Sequence, residues 1–325
     1  MIKQFIAIVH KKLHYRMIII SLVLIISLTF IFSYDYLIDV LKINVTESLG
    51  QIDENGNYIL GDYKVQTSYL IHNNTLISNG HVLNRYPPLY PLLLYATYKV
   101  SNIFHTTFQI MLYLLAVVFI ILSAVFIGDI AYLLYNNTTH AIIAALLFAT
   151  HPYTLQGITK AMSVTPFNAF FYLCLLIFLR YCISKKNSLY EPLLMGLLLG
   201  LAMLIRPIGL FLPIVFSILI FSFTKHLRFL KRLMLLILLI GASAITIMPW
   251  QTFNYLRGQK ILLSSDEVYS LIDGVSFNNH PRKKHINLPS DVDALALRLS
   301  TSNIESRTQF FDHIITEFKN NPASV

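Results

Sequence analysis

The sequence predicts an all-α polytopic membrane protein, and three observations lead to that prediction. Of its 325 residues, 55% are hydrophobic and only 13% are charged, whereas soluble domains carry about 25% charged residues. The apolar residues form uninterrupted runs that are long enough to cross a bilayer. The net charge of +9 comes from short segments between those runs and not from a basic patch interleaved with aromatic residues, which excludes a nucleic-acid-binding protein.

The N-terminal part predicts a cytoplasmic basic segment followed by a signal anchor. Residues 1–16 contain four basic residues and no acid. Residues 17–34 form an uncharged run of 18 residues, which is long enough to span a hydrocarbon core of about 30 Å. Because the run ends in bulky residues and lacks a small-residue cleavage site, we expect it to be retained as the first transmembrane helix.

A long extracytoplasmic loop is predicted for residues 35–86, where six acidic residues stand against three basic ones. The following segment, 87–106, is apolar but short, and its end is polar. We predict that this segment is an interfacial or re-entrant helix that begins no earlier than Leu89, since Pro87 and Pro88 precede it.

Residues 107–249 are predicted to form a transmembrane bundle of six further spans, at 108–127, 141–157, 165–181, 192–205, 207–223 and 233–249. With the first helix the total is seven, and a cytoplasmic N-terminus then places all the basic connecting segments on one side. Residues 250–325 would face the same side as the loop 35–86. Gly196 and Gly200 form a GxxxG motif, which predicts close packing of two helices.

Cationic residues and rigid corners occur together on the predicted outer face. Arg85 and Tyr86 come directly before Pro87 and Pro88, whose rings fix the backbone at the membrane surface. Arg206 lies at the predicted outer end of a span, and an ionisable residue among spans is a candidate for function.

Four motifs in this order resemble the polytopic glycosyltransferases of the GT-C fold: Gly61-Asp62, Arg85 through Pro91, Leu204 through Leu210, and Pro249-Trp250 with Asn254-Tyr255 and Gly258. The closest type is family 39, the protein mannosyltransferase-like group that includes the lipid A aminoarabinose transferases. The resemblance extends over residues 17–325. It implies transfer of a sugar from a polyprenyl-phosphate carrier to an acceptor hydroxyl on the non-cytoplasmic face.

The resemblance also implies roles for single residues. A catalytic aspartate is expected in the first outer loop, and Asp62 matches its position, with Asp35 and Asp39 in reserve. Arg85 and Arg206 would bind the donor phosphate, because fixed guanidinium groups stabilise the charge on a departing phosphate. The residues expected to shape the site are Tyr86, Pro87, Pro88, Trp250, Asn254 and Tyr255. The chain departs from the family pattern at Asp62-Tyr63, where some members have Asp-Glu, and at Phe253, where members often have Arg.

No metal ligand is assigned, since the histidines are scattered singly, although a divalent metal is left open. The sequence has no Walker loop and no GxGxxG motif, which fits a lipid-linked donor better than a nucleotide. The expected partners are a polyprenyl-phosphate-linked sugar, a lipid, glycan or protein acceptor, and membrane lipids. Frequent Ile, Asn and Lys favour a bacterial plasma (inner) membrane.

Two other functions stay open from the sequence. A membrane polysaccharide ligase or polymerase also uses a lipid-linked donor, but it places its large loop late in the chain. A polytopic transporter would have matching halves and broken helices near the midplane, and neither is visible in the sequence. Members of the resembling family usually continue into more membrane helices, so we expect this chain to be a fragment that ends before them.

Overall fold

A computed structural model describes the protein at residues 2–41, 64–78, 81–82, 87–159, 162–184, 188–224 and 227–256. For residues 2–12, 34–41, 64–65, 68, 77–78, 81–82 and 184 this description covers the backbone alone. All the described residues belong to one compact unit, which comprises Met1–Leu83 and Pro87–Leu263. A second unit, Asn84–Tyr86 with Ser264–Val325, lies outside the described residues.

The described residues are almost entirely helical, which confirms the predicted fold class. The helices are α1 (Ile2–Leu41), α2 (Lys64–Asn73), α3 (Leu89–Ile103), α4 (Phe108–Tyr135), α5 (Thr138–Thr150), α6 (Pro152–Thr159), α7 (Val164–Ser184), α8 (Tyr190–Ile205), a 3₁₀ helix (Pro207–Phe211), α9 (Leu212–Phe223) and α10 (Phe229–Leu256). A small antiparallel hairpin, β1 (Ile77–Ser78) and β2 (His81–Val82), lies between α2 and α3.

Four of the described helices are long and apolar enough to cross a membrane: α1 over Leu13–Ser33, α4, α7 over Val164–Ile183, and α10. The α5 and α6 pair is a fifth candidate, with a bend of 55° between its two parts. Two shorter apolar helices, Tyr190–Ile205 and Pro207–Phe223, occupy two further predicted spans. Since α8 has 16 residues and is therefore about 24 Å long, the total of seven spans stays a prediction.

Several helices extend beyond the apolar runs that predicted them. The first helix continues to Leu41, so Asp35 and Asp39 lie on its last turns and not in a loop. In α4 the helix ends only at Asn136, which adopts a left-handed conformation (φ 49°) and donates its backbone N–H to the carbonyl of Tyr132. Likewise, α10 passes through Pro249 to Leu256. Capping and packing determine where a helix ends, and neither can be read from the length of an apolar run.

Two glycines bring α8 close to α10. A Cβ atom at Gly196 would overlap the carbonyl oxygen of Leu239, and one at Gly200 would lie 2.5 Å from the Cβ of Thr246. Ser243 donates a hydrogen bond of 3.0 Å from its hydroxyl to the carbonyl of Gly196. The GxxxG motif therefore has the packing role that the sequence predicted.

The helices around α8 define the two ends of the bundle. Gly196 of α8 lies against Leu239 of α10, and Gly200, one turn later, lies against Thr246. The last residues of α8 pack with Ile247 and Trp250. The two helices therefore run parallel and end on the same side of the bundle. In contrast, α7 is antiparallel to α8, because residues 185–189 join them and the Cys174 thiol lies 3.9 Å from the Met195 carbonyl. The ends of α8 and α10 form what we call the Trp250 end, where Leu89, Met203 and Trp250 pack together.

The opposite end of the bundle is marked by one buried carboxylate. Asp129 on α4 contacts Tyr15 and Arg16 near the start of the apolar part of α1 (Leu13–Ser33), and Arg180 near the end of α7. We call this group of four residues the Asp129 end. The start of the apolar part of α1 and the ends of α4 and α7 therefore lie on the same side of the bundle.

Candidate functional site

The Trp250 end brings several separate chain segments into one cluster. Its buried members are Met203 and Leu204 on α8 and Ile247 and Trp250 on α10. Partly buried residues pack against these four from the hairpin region, from α3, from the 3₁₀ helix and from α10, namely Leu76, Leu89, Leu210 and Phe253. Three of the four sequence motifs thus meet at one place, although Leu89 and Trp250 are 161 positions apart in the chain.

A rigid corner leads the chain into this cluster. Pro87 and Pro88 are buried, and α3 begins immediately after them at Leu89. The carbonyl of Pro88 accepts the first helical hydrogen bond, from the N–H of Leu92 at 3.0 Å. Tyr90 and Leu94 are 2% and 1% exposed, so they anchor α3 against the bundle. The proline rings fix φ at the corner, and the buried face of α3 fixes its direction.

Arg206 follows the last residue of α8 and has an extended backbone, with φ −141° and ψ 129°. Its N–H donates to the Ala202 carbonyl at 2.9 Å, and its own carbonyl accepts from the N–H of Gly209 at 3.2 Å. A cation is favourable at this position because the C-terminal end of a helix carries partial negative charge. The side chain is partly exposed. Both ion pairs within the described part of the chain involve Asp129, and neither includes Arg206.

Trp250 and Asn254 lie one turn apart on the same face of α10, and they are 7% and 0% exposed. The Trp250 ring stacks on Phe253 with a centroid distance of 5.7 Å. Tyr255, in contrast, is 65% exposed and does not join the cluster. Burial of Trp250 and Asn254 holds the last turns of α10 against the bundle even though Pro249 lacks the N–H that an interior helical position normally donates.

Part of the predicted outer loop packs against the bundle. Gln66, Thr67 and Leu70 on α2 are buried. The helix ends at Asn74, which has a φ of 52° and accepts a hydrogen bond from the hydroxyl of Tyr95 on α3. Two residues later, Leu76 reaches the cluster at the Trp250 end. This part of the loop therefore docks beside the proline corner.

An apolar pocket opens next to α3, with an empty volume of about 230 Å³ that includes space open to the surroundings. Tyr90 and Leu94 line one side of it, and residues of α4 line another, among them Leu112 and Phe119. The start of α7 completes the wall with Thr165 and Pro166. The pocket therefore lies beside the first two turns of α3, directly after the proline corner.

The structure describes only some of the residues that the sequence predicted for the site. It brings together Pro87, Pro88, Arg206, Trp250 and Asn254 at or next to the Trp250 end. Asp62, Arg85 and Tyr86 lie outside the described residues, and α2 begins two residues after Asp62. Asp35 and Asp39 are described as helical backbone only. Among the described residues, no group of three His, Cys, Asp or Glu side chains is arranged to hold a metal ion.

Sequence reasoning missed the carboxylate of Asp129. The predicted span ended at residue 127, so Asp129 was left outside it, while the structure buries it inside α4. Its hydrogen bonds to Arg16 and Arg180 give a structural role to two cations that the sequence had marked only as flanks of spans. A single acid close to the end of a long apolar run was the signal that could have found it.

Residues 86–250 match the family model for dolichyl-phosphate-mannose-protein mannosyltransferases, which covers just over half of the 325 residues. The chain belongs to this family. The match begins at Tyr86, next to the proline corner, and ends at Trp250, so both boundaries fall on motifs of the candidate site. No curated protein and no solved structure matched the chain.

Membership in this family confirms the resemblance that the sequence motifs indicated. The protein is an integral membrane glycosyltransferase that uses a lipid-linked sugar, since the family acts on such donors and the described helices are apolar enough to span a membrane.

Proposed function

We propose that the protein transfers a sugar from a polyprenyl-phosphate carrier to an acceptor hydroxyl on the non-cytoplasmic face of a bacterial plasma membrane. One observation carries this proposal: the proline corner, the end of α8 with Arg206, and Trp250 meet at one end of the bundle. The family description names a dolichyl-phosphate-linked mannose as donor, and dolichol is itself a polyprenol.

Arg206 is proposed to bind the phosphate of the donor. Its guanidinium is partly exposed and takes part in neither of the ion pairs of the described residues, so its charge is available to a ligand. The phosphate gathers negative charge as the sugar leaves it, and a guanidinium held by a fixed backbone stabilises that charge. Arg85, two residues before Pro87, is proposed as the second cation.

The apolar surface around α3 supports a lipid donor. A small pocket with an almost wholly hydrophobic lining adjoins the helix that leaves the proline corner. The outward residues of α3 include Leu92, Val100 and Ile103, which are 42%, 38% and 72% exposed. An isoprenoid chain is stabilised by contact with such apolar surface. This surface therefore fits the part of the donor that remains in the membrane.

Asp62 is proposed as the general base. The acceptor oxygen attacks the anomeric carbon, the bond from that carbon to the phosphate oxygen breaks, and the polyprenyl phosphate leaves. The acceptor proton passes to the carboxylate, which must be within hydrogen-bonding distance of the attacking hydroxyl. Asp62 precedes α2 by two residues. Residues of α2 are buried in the bundle, and Leu76, which follows α2, packs at the Trp250 end. The position of α2 next to the candidate site supports this assignment.

The positive-inside rule supports the proposed membrane face. The short basic segments at 1–16, 180–186 and 225–232 contain eleven basic residues. In the sequence they adjoin or overlap the start of α1, the end of α7 and the start of α10, and these helix ends lie on the side of the Asp129 end. If that side is cytoplasmic, the Trp250 end faces the opposite compartment, where the candidate site would act.

The test uses membranes that contain the full-length protein, a native membrane extract as the source of acceptors, and a panel of radiolabelled polyprenyl-phosphate sugars. Wild type should release sugar from one donor. Asp62→Asn should lower the rate at least 100-fold, because general-base assistance contributes about 10²–10⁴-fold. Asp53→Asn, which removes an acid from the same predicted loop, is the matched control and should keep the wild-type rate.

Each result leads to a definite conclusion. Equal rates in wild type and Asp62→Asn would move the base to Asp35 or Asp39, and the same substitution made there would follow. If wild type turned over none of the donors, that result would contradict the proposed reaction. Equal loss in the Asp53→Asn control would mean that the loop acids act through folding and not through chemistry.

A further inference from the structure

The Asp129 end contains two arginines that share one carboxylate. The Asp129 side chain is 4% exposed, whereas those of Arg16 and Arg180 are 37% and 49% exposed. Tyr15 donates its hydroxyl to Oδ1 of Asp129 at 2.6 Å, and Nε of Arg16 donates to the same oxygen at 3.0 Å. Oδ2 accepts from Nη2 of Arg16 and, at 3.0 Å, from Nη2 of Arg180. The three ionised side chains carry a net charge of +1.

These four hydrogen bonds use the full accepting capacity of the carboxylate, which has about four lone-pair sites. Arg16 still has Nη1, and Arg180 still has Nη1 and Nε, as donors beyond the bonds to Asp129. Within the described ranges, no acceptor contacts these three nitrogens. The carboxylate therefore holds two guanidinium groups on one oxygen and leaves donors of both for a further anion.

The surroundings of the pair are those of a lipid headgroup region. Leu13 and Met17 flank Arg16 on α1 and are 59% and 54% exposed. Ile183 on α7 and Leu134 on α4 are 54% and 56% exposed at the same end. In a membrane protein, exposed apolar side chains contact acyl chains. The two guanidinium groups therefore lie at the level where acyl chains meet phosphates.

We propose that Arg16 and Arg180 bind the phosphate of an anionic membrane phospholipid. Guanidinium groups form strong, directional hydrogen bonds with phosphate oxygens, and a pair already fixed by Asp129 loses little side-chain freedom on binding. The segments 1–16 and 180–186 bring further basic residues to this side, which raises the local concentration of anionic lipids. A lipid bound here would bridge α1 and α7. The inference does not depend on the proposed transfer reaction.

The experiment uses the purified full-length protein, stripped of lipid in a neutral detergent. Native mass spectrometry would follow the binding of phosphatidylglycerol, with phosphatidylcholine and inorganic phosphate as separate arms. Wild type should bind one phosphatidylglycerol at least tenfold more tightly than phosphatidylcholine. Arg180→Gln should lower the affinity for phosphatidylglycerol more than tenfold, because a hydrogen-bonded pair of charges is lost. That variant keeps Asp129 bonded to Tyr15 and Arg16.

Arg228→Gln is the matched control, since Arg228 is an exposed arginine on the same side that makes no ion pair among the described residues. It should lower the affinity by less than about fivefold, the effect of one surface charge. Equal losses in the two variants would overturn the proposal in favour of general surface attraction. Tight binding of inorganic phosphate without a preference for phosphatidylglycerol would overturn the lipid as occupant. Should Arg180→Gln fail to fold, Arg180→Lys, which keeps the charge but loses the planar fork, should still weaken binding, and unchanged binding would contradict the proposal.

Discussion

Arg206 shows how a single residue combines a structural position with a chemical role. Its backbone closes α8 and begins the 3₁₀ helix, while its guanidinium has no carboxylate partner within the described residues. The negative end of α8 lies next to it, which favours a cation there at any time. The end of α8 therefore stabilises the charge of Arg206 when no ligand is bound, and a bound phosphate would add a second favourable interaction.

Substitution of Arg206 tests the proposed phosphate contact. Arg206→Gln should lower kcat/KM for the lipid-linked donor by about 10²–10³-fold, the usual cost of losing one donor to a developing negative charge. Arg206→Lys should recover part of that loss, because it restores the charge but not the two-pronged hydrogen bonding. Initial rates of sugar release at several donor concentrations would measure both effects. Wild-type rates in Arg206→Gln would contradict a role in binding the phosphate.

The sequence predicted some of these residues and missed others for definite reasons. Arg206 and the proline corner were found because a charge at the end of a span and two adjacent prolines are visible without a structure. Trp250 and Asn254 turned out to share one buried face of α10, whereas Tyr255 lies on an exposed one. Asp129 was missed because its partners are more than 50 residues away along the chain, and such pairs arise only from tertiary packing.

At the scale of elements, the sequence predicted which segments are helices far better than where they end. Apolar runs identified the cores of α1, α4 and α10, since lipid requires every backbone group to be paired within the helix. Their ends depend on contacts that apolar runs do not record. The chain leaves α4 where Asn136 adopts a left-handed conformation, and α10 continues past Pro249 because Trp250 and Asn254 are buried.

The interface of α8 with α10 offers a matched pair of glycines for a stability test. Gly196→Ala should destabilise the protein by about 1–3 kcal/mol, because its Cβ would overlap the Leu239 carbonyl oxygen and the backbones would have to separate. Gly241→Ala, on α10, should stabilise the protein by about 0.5–1 kcal/mol, since alanine has the higher helix propensity and nothing lies within 4 Å of the Cβ it would add. Thermal unfolding in detergent would compare the two variants. An equal effect in both would show that helix propensity, and not close approach, decides these positions.

At the scale of the whole molecule, the bundle separates two charged regions by the length of its helices. The Asp129 end has its arginines fixed by one carboxylate, and the Trp250 end has Arg206 beside the proline corner. One span of α8, about 24 Å, lies between them. The family match extends from Tyr86 to Trp250 and so includes Asp129, Arg180 and Arg206, whereas Tyr15 and Arg16 on α1 precede it.

The proposed orientation of that bundle can be measured with two single cysteines. Thr106 precedes α4 and Thr139 follows it, and both are exposed, so one helix separates them. With Cys174 and Cys182 replaced by alanine, Thr106→Cys should react with a membrane-impermeant maleimide in intact cells, because it lies on the side of the bundle from which α4 starts. Thr139→Cys should react only after the membrane is permeabilised, because it lies on the side of the Asp129 end. The reverse pattern would place the Trp250 end in the cytoplasm and contradict transfer on the outer face, while labelling of both in intact cells would mean that α4 does not cross the membrane.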